Sequence, residues 1–474
     1  MSTEKKTLEM YGGLWGGLVP LFVLIGILIW LSVAERGTPQ AFWAGGWLAI
    51  VAGLFFAKNK QDYCGAIMRG LGDKNGIVII TAWIFAGVFG KLMVAGGLVE
   101  GLLWFGLETG AQGALFTVLS FVAAMLFSLG TGTSTGTVLS LIPVLYPAGV
   151  FLGANPTMLA AGILSGAAFG DNLAPVSDTT IVSAYTQEAT MKDVVKSRFP
   201  LAISAATIAA IVLLITGGGG SVANLPELQA KVNPAGLLML LSFAVVVGSA
   251  LAGRHIVESL IYGNVSAVIL GMLNGKIAWS TVLHLPAKRG ESTGIIEAGI
   301  SGVIGAIIFA LLVLAVTQVL VESGVMNAIL RWAEKTIAKT VRQAEASIIL
   351  VTILASIPIA ANAPALLLVG PSFVKPLGER FNLAPARRAN LMDCAVCTIF
   401  FTIPWHIAVI VWYGTLTTAA QTWKLPLPSI GAAALNPYTW ALLAVLAFSV
   451  ITGWNRKYAE PKSNQSEAIQ TQGM

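Results

Sequence analysis

Charged side chains are scarce in this sequence. Only 11% of its 474 residues are Asp, Glu, Lys or Arg, whereas 56% are hydrophobic. Soluble domains usually carry about 25% charged residues. Apolar runs long enough to cross a bilayer recur from end to end, and they lack the short alternating segments of a β-barrel. We therefore predict an all-α polytopic membrane protein with about 10–12 transmembrane segments.

Cysteines are equally few. The three residues Cys64, Cys394 and Cys397 are an odd number, so they define no disulfide framework. The CxxC spacing of Cys394 and Cys397 lies in an apolar segment, and we interpret both as packing residues. The sequence also lacks a Walker motif, an HExxH motif and a GxSxG elbow. We expect no enzymatic activity and no organic cofactor.

Basic residues exceed acidic ones, which gives a net charge of +6. They lie mostly in short loops, the positive-inside pattern, and form no basic-aromatic patch. We therefore expect the lipid bilayer and not a nucleic acid as a partner. The basic excess of the loop Lys58–Lys74 predicts that this loop, and with it the N-terminus, is cytoplasmic. We expect a multi-pass protein of the inner membrane of a bacterial-type cell.

Two acids interrupt an apolar helix in the segment Gly166–Thr180, which reads GAAFGDNLAPVSDTT. Gly170 and Pro175 disfavour a continuous helix around Asp171 and Asp178. A carboxylate at membrane depth is tolerated when it binds a proton or a cation. We predict that Asp171 and Asp178 bind sodium in competition with protons. Alternatively, Asp178 only caps the helix that follows it.

Further candidate ligands lie at other polar interruptions. The segment Gly130–Thr137 reads GTGTSTGT, and its hydroxyls and unwound carbonyls suit a hard cation or a substrate. His406 is a candidate proton relay, although a lone His in an apolar helix is more often a packing residue. The remaining candidates for cation or substrate binding are Thr131, Thr133, Ser134, Thr135, Thr137, Asn172, Ser177, Thr179, Asn362 and Asp393.

The two halves of the chain share an order of parts. Each has a polar break, Gly130–Thr137 or Asn362–Pro364, followed by a span with a buried acid and a proline. Interrupted helices in corresponding places of two halves indicate a transporter site. We predict two inverted repeats with broken helices or re-entrant hairpins. Their expected boundaries are a first repeat at 1–216, an external linker at 217–233, a second repeat at 234–454 and a disordered cytoplasmic tail at 455–474.

The segment FGDNLAPVSDTT resembles the GDK-SP-SDTT pattern of NhaC-type sodium/proton antiporters, a family of the ion-transporter superfamily. It keeps Gly170, Asp171, Pro175 and the run Ser177–Thr180, but Asn172 replaces the usual Lys and Ala174 the usual Ser. The resemblance implies a transport domain of broken helices or hairpins beside a scaffold domain. It also implies elevator-like alternating access and, in many members, a homodimer.

The resemblance implies a secondary transporter that exchanges sodium for protons, with sodium as the coupling ion. Relatives of this family also move small organic acids or amino acids with sodium and protons. The missing lysine at Asn172 and the hydroxyl-rich segment Gly130–Thr137 keep that alternative open. A channel is less expected, because the polar interruptions come in pairs and do not form one continuous polar path.

Overall fold

The computed structural model describes residues 8–34, 39–72, 74–220, 232–284, 294–325, 328, 338–357 and 362–459. Over these ranges the chain is helical, and its only β-pairings are two isolated bridges. Seven helices are long and apolar enough to cross a membrane, or eight if one bent pair counts as a span. This confirms the predicted all-α polytopic fold.

The first half contains ten helices in the described ranges. They are α1 (Leu14–Val33), α2 (Pro39–Phe56), α3 (Lys60–Leu71), α4 (Lys74–Ala95), α5 (Leu98–Thr109), α6 (Gly113–Thr131), α7 (Ser134–Phe151), α8 (Pro156–Leu173), α9 (Asp178–Gln187) and α10 (Met191–Thr216). The axes of α4 and α5 differ by 58°. The bend falls at Gly97, whose φ of 87° places it in the left-handed region that glycine tolerates best.

The described part of the second half adds ten more helices. They are α11 (Leu240–Leu251), α12 (Ile256–Leu273), α13 (Trp279–Val282), α14 (Ile295–Glu322), α15 (Val341–Ser356), α16 (Asn362–Val369), α17 (Lys375–Arg380), α18 (Pro385–Ile399), α19 (Ile407–Trp423) and α20 (Pro437–Thr452). Short 3-10 turns precede α11 and α20, and a π-helical turn joins α16 to α17. Most of the predicted linker at 217–233 lies outside the described residues.

Helices α6 and α7 form an antiparallel pair that we call the first hairpin. The backbone N–H of Gly113 donates to the carbonyl of Leu152 over 2.9 Å, so α6 begins beside the residue that follows α7. At the other end, Gly132 turns the chain with a φ of 65°, and the hydroxyl of Thr133 caps α7 by accepting from the N–H of Gly136. The tip of this hairpin is Thr131–Ser134.

Helices α8 and α9 follow one another across a short interruption. Asn155 caps α8, and Pro156 occupies its first turn, where a missing N–H costs nothing. Ala174 is extended because it precedes Pro175, so α8 stops there. We call residues 174–177 the first break. At 1.5 Å per residue, α8 is about 27 Å long before the first break and α9 is about 15 Å long after it.

Helices α15 and α16 form the second hairpin, which begins on the opposite side of the molecule. Near the start of α15, Glu345 is ion-paired with Arg387 at the start of α18. Arg388, also on α18, donates to the carbonyl of Gln187 at the end of α9. The base of the second hairpin therefore lies near the end of α9, whereas the base of the first hairpin, at Gly113 and Leu152, lies near the start of α8. The two inverted repeats and their boundaries stay a prediction.

Helix α18 ends at Ile399 and α19 begins at Ile407, so the helical path of the second half is interrupted around Pro404. We call residues 400–406 the second break. The residues after α20 pack against the start of α18: the N–H of Ala384 donates to the carbonyl of Lys457, and Arg456 pairs with Glu345. Residues 455–459 are thus held in place, and the rest of the predicted tail lies outside the described residues.

Candidate functional site

A cavity of about 450 Å³ lies where the first break, the tip of the first hairpin and the start of α16 meet. Its walls also include parts of α4, α14 and the turn between α11 and α12. Seven predicted site residues line it: Thr131, Thr133, Ser134, Thr135, Asp171, Asp178 and Asn362. Residues from both predicted repeats therefore meet around one space.

Asp171 is the most constrained carboxylate of the cavity. It lies in the last turn of α8 and is only 5% exposed. One carboxylate oxygen accepts a hydrogen bond from the hydroxyl of Ser177 over 2.9 Å, and the other accepts from Ser134 over 3.1 Å. Ser177 belongs to the first break and Ser134 to the tip of the first hairpin. Asp171 therefore joins the two elements through its own oxygen atoms.

Asp178 is the first residue of α9 and is exposed to the cavity. Its Oδ1 accepts a hydrogen bond from the backbone N–H of Thr179 over 2.8 Å. One carboxylate oxygen thus satisfies an N–H group that has no partner within the helix. This is what we expect if Asp178 caps the start of α9. The residue also lines the cavity, where a mobile cation would be held. Capping and ion binding are compatible at this residue.

Ser177 and Thr179 lie behind the cavity wall and orient the two acids. Their hydroxyls are 3.0 Å apart, and the Thr179 hydroxyl donates to the backbone carbonyl of Asp171 over 3.4 Å. Both side chains are fully buried. The structure therefore gives them a supporting position beside Asp171, and not a position on the cavity surface.

The threonine hydroxyls at the tip of the first hairpin and in the first turn of α7 divide into two groups. Thr131 and Thr137 donate to carbonyls of their own helical turns, over 2.8 and 2.7 Å. Thr133 and Thr135 are 3.2 Å apart, and Thr135 accepts a hydrogen bond from the indole of Trp83 over 2.7 Å. The Thr133 and Thr135 oxygens are therefore the better placed of these hydroxyls to face a ligand.

Asn362 brings the second hairpin to the cavity. It is the first described residue of that hairpin after the gap at 358–361, and it is 6% exposed. The residue lines the cavity, and its side-chain oxygen has no hydrogen-bond partner among the described residues. A buried amide oxygen without a partner is costly, and a cation or a hydrogen-bonding solute would satisfy it.

Asp393 and Asn172 do not line the cavity, unlike the prediction that both contact the ligand. Asp393 is fully buried and forms an ion pair with Arg198. The side-chain oxygen of Asn172 accepts from the hydroxyl of Tyr438 over 3.1 Å. A carboxylate and an amide that already have such partners are poor ligands for a mobile ion.

His406 also lies away from the cavity. It is fully buried and occupies the N-cap position of α19 without a side-chain capping hydrogen bond, and its ring packs edge-on against Phe400 with a centroid distance of 4.9 Å. No hydrogen bond in the described ranges joins it to Asp171 or Asp178. The geometry favours the packing interpretation of His406 over a proton relay.

Four polar or aromatic residues of the cavity were not foreseen as site residues: Trp83, Arg254, His255 and Phe400. Arg254 forms a local ion pair with Glu258, at 3.6 Å, yet its side chain is 61% exposed and the residue also borders the cavity. Nothing local distinguishes these residues from interface aromatics and an ordinary helix-end pair. Only the packing of α4 and the α11–α12 turn against the first hairpin brings them to the site.

The donor atoms of the cavity are carboxylate, hydroxyl and amide oxygens. No group of three or more His, Cys, Asp or Glu residues that could hold a metal ion occurs among the described residues. Such a group is typical of tightly bound transition metals, whereas a few oxygens around one or two carboxylates suit a hard cation that must also leave. The residues present therefore fit sodium.

The profile of the Na⁺/H⁺ antiporter family matches residues 19–218 and 227–448. The chain belongs to this family. The resemblance to NhaC-type antiporters is thereby confirmed, and the family is one of membrane transporters and not of enzymes. Together, the two matched segments contain the residues around the cavity, from Trp83 in the first segment to Phe400 in the second.

Three relatives illustrate the range of the family. The Malate-2H(+)/Na(+)-lactate antiporter of Bacillus subtilis is 27% identical over 42% of this chain and 43% of its own length. The Na(+)/H(+) antiporter NhaC of Alkalihalophilus pseudofirmus is 24% identical over 60% and 64%. The arginine/ornithine antiporter ArcD of Halobacterium salinarum is 24% identical over 83% and 80%. The match to the Bacillus protein thus spans less than half of that relative.

Replacing Ser134 by Ala tests the bridge between the first hairpin and the first break. Because a hydrogen bond to a charged group is worth about 1.5–3 kcal/mol, we expect Ser134→Ala to raise the sodium concentration for half-maximal exchange by about tenfold or more. Ser140→Ala is the matched control, since Ser140 is buried in the same helix and its hydroxyl has no partner among the described residues. Equal sodium dependence in both variants would contradict the bridge.

Proposed function

We propose that this protein exchanges sodium ions for protons at a site formed by Asp171 and Asp178. The observation that carries the proposal is the position of Asp171, which is buried, borders the cavity and accepts hydroxyl hydrogen bonds from two separate elements. A carboxylate in such a place binds either a proton or a cation. That competition is sufficient to couple the two ions, because each must leave before the other binds.

The surrounding oxygens support sodium as the ion. Thr133, Thr135, Asp178 and Asn362 border the same cavity as Asp171, and the side-chain oxygen of Asn362 has no hydrogen-bond partner among the described residues. Hard cations prefer such oxygen ligands. Because these oxygens come from a hairpin tip, a broken helix and a second hairpin, a movement of one element changes the coordination shell. Release of sodium is thereby linked to a change of shape.

We also propose the direction in which the cavity opens. Val78 near the start of α4 and Arg254 in the α11–α12 turn border it, and both are exposed. The basic loop before α4 is expected in the cytoplasm, so this shape would be inward-facing. Alternating access then requires an outward-facing shape. A cytoplasmic N-terminus, an inner-membrane location and a homodimer belong to the same proposal.

A small organic carboxylate is a second candidate substrate, favoured by the size and the charges of the cavity. A volume of about 450 Å³ is within the range of sites for organic ligands and far exceeds the needs of one bare ion. Apolar side chains such as Ile181 and Ile256 line much of it, and Arg254 and His255 lie at its border. Relatives named for malate, lactate, arginine and ornithine are consistent with this candidate.

Sodium/proton exchange is tested with purified protein in liposomes that contain a pH-sensitive dye. An outward sodium gradient should acidify the lumen, and Asp171→Asn should reduce the rate at least about tenfold, because an amide binds no proton and attracts a cation weakly. Asp193 is an exposed acid at the start of α10, and we expect Asp193→Asn to leave the rate unchanged. An unaltered rate in Asp171→Asn would overturn the assignment of the site.

The organic candidate is tested by uptake of labelled mono- and dicarboxylates into the same liposomes. If a carboxylate is carried, Arg254→Gln should raise its half-saturating concentration about tenfold, because the removed guanidinium pairs with the carboxylate. Arg69→Gln, which breaks an exposed pair with Glu322 far from the cavity, is the control. Exchange of sodium and protons without uptake of any organic solute would reject this candidate.

A further inference from the structure

Arg198 is a buried cation of helix α10 with an unusual set of partners. Its side chain is fully buried, and it forms an ion pair with Asp393 of α18. Its Nη1 also donates to the carbonyl of Asn172 and, over 2.9 Å, to the hydroxyl of Thr180. Its Nε donates to the side-chain oxygen of Asn390 over 2.8 Å. One guanidinium therefore contacts three other helices.

The two contacts with α8 and α9 lie on opposite sides of the first break. Asn172 directly follows Asp171 in the last turn of α8, and Thr180 lies two residues after Asp178 in the first turn of α9. The end of α8 presents carbonyl groups without helical partners, which a cation satisfies. Arg198 thus connects the segment that carries one acid to the segment that carries the other.

Asp393 and Asn390 keep this guanidinium in place. Asp393 balances its charge and also accepts a hydrogen bond from Ser183 of α9 over 3.2 Å. Asn390 donates to the hydroxyl of Ser197 over 2.7 Å, so it is fixed against α10. A buried ion pair contributes little net stability compared with apolar packing, but it can select one arrangement of the elements that it joins.

We propose that Arg198 is a positioning residue that sets the separation and orientation of Asp171 and Asp178. It does so through the Asn172 carbonyl and the Thr180 hydroxyl, with Asp393 as its fixed counter-ion. The guanidinium is suited to this role because its planar fork directs several donors at once, which a lysine ammonium on a flexible stem does not. The effect on sodium affinity rests on the proposed function, whereas the effect on the first break does not.

The alternative is that the pair only stabilises the fold. The chain offers a matched control in Arg387, which pairs with Glu345 over 2.8 Å with 1% and 0% of the two side chains exposed. This second pair is as buried as the first, but it lies at the base of the second hairpin and contacts no residue of the first break. A role limited to stability predicts similar consequences for Arg198→Lys and Arg387→Lys.

The experiment compares Arg198→Lys and Arg387→Lys with the unaltered protein by two measurements. The first is backbone hydrogen exchange over residues 172–180, where we expect about fivefold faster exchange in Arg198→Lys only. The second is sodium-driven proton movement in liposomes, where we expect the half-saturating sodium concentration to rise about tenfold, with the maximal rate changed less than about threefold. Thr180→Ala keeps all charges and should shift both measurements in the same direction.

Unchanged exchange over residues 172–180 in both Arg198→Lys and Thr180→Ala would overturn the proposal. Equal effects in the Arg198→Lys and Arg387→Lys proteins would overturn it as well, since a general loss of stability then accounts for them. If the unaltered protein moves no protons in response to sodium, the proposed function fails and the hydrogen-exchange comparison alone decides the positioning role. If Arg198→Lys does not fold, Thr180→Ala decides it.

Discussion

The arrangement of this protein depends on one buried carboxylate, which accepts hydrogen bonds from two separate structural elements. Asp171 accepts from Ser134 at the tip of the first hairpin and from Ser177 in the first break. An acid at membrane depth needs such donors, a proton or a cation to be tolerated. Because the donors come from separate elements, the occupant of Asp171 can influence how the hairpin and the broken helix pack. Ion binding and conformation are linked at this position.

The remaining buried charges are arranged so that they do not compete for the same ion. Asp393 is paired with Arg198, and Glu345 is paired with Arg387 and Arg456. These pairs lie behind the cavity or at the base of the second hairpin. Among the acids of the described ranges that border the cavity, Asp171 and Asp178 therefore remain available to a mobile cation. This separation lets a single chain hold several intramembrane charges with distinct roles.

Local sequence patterns predicted much of this architecture. Apolar runs specified the helical membrane fold, and Gly132, Pro175 and the acids around the first break marked where helices stop. These signals are local, because helix termination and the cost of a charge in lipid depend on a few neighbouring residues. For the same reason Thr133, Ser134 and Asn362 could be selected as residues of the cavity.

The roles of Asp393, Trp83 and Arg254 could not be predicted in this way. Asp393 has the same local context as a candidate ligand, and only the packing of α10 against α18 supplies Arg198 as its partner. Trp83 and Arg254 reach the cavity through contacts between helices that are distant in sequence. Charge pairing across helices depends on tertiary structure, so composition and spacing carry no signal for it.

The most direct test of the central claim is the release of protons when sodium is added to the purified protein in a weakly buffered solution. If protons and sodium compete for Asp171 and Asp178, sodium should displace roughly one proton or more per protein at a pH where the site is partly protonated, and potassium should displace far fewer. Sodium that binds, as judged by a rise in thermal stability, without releasing protons would contradict the claim.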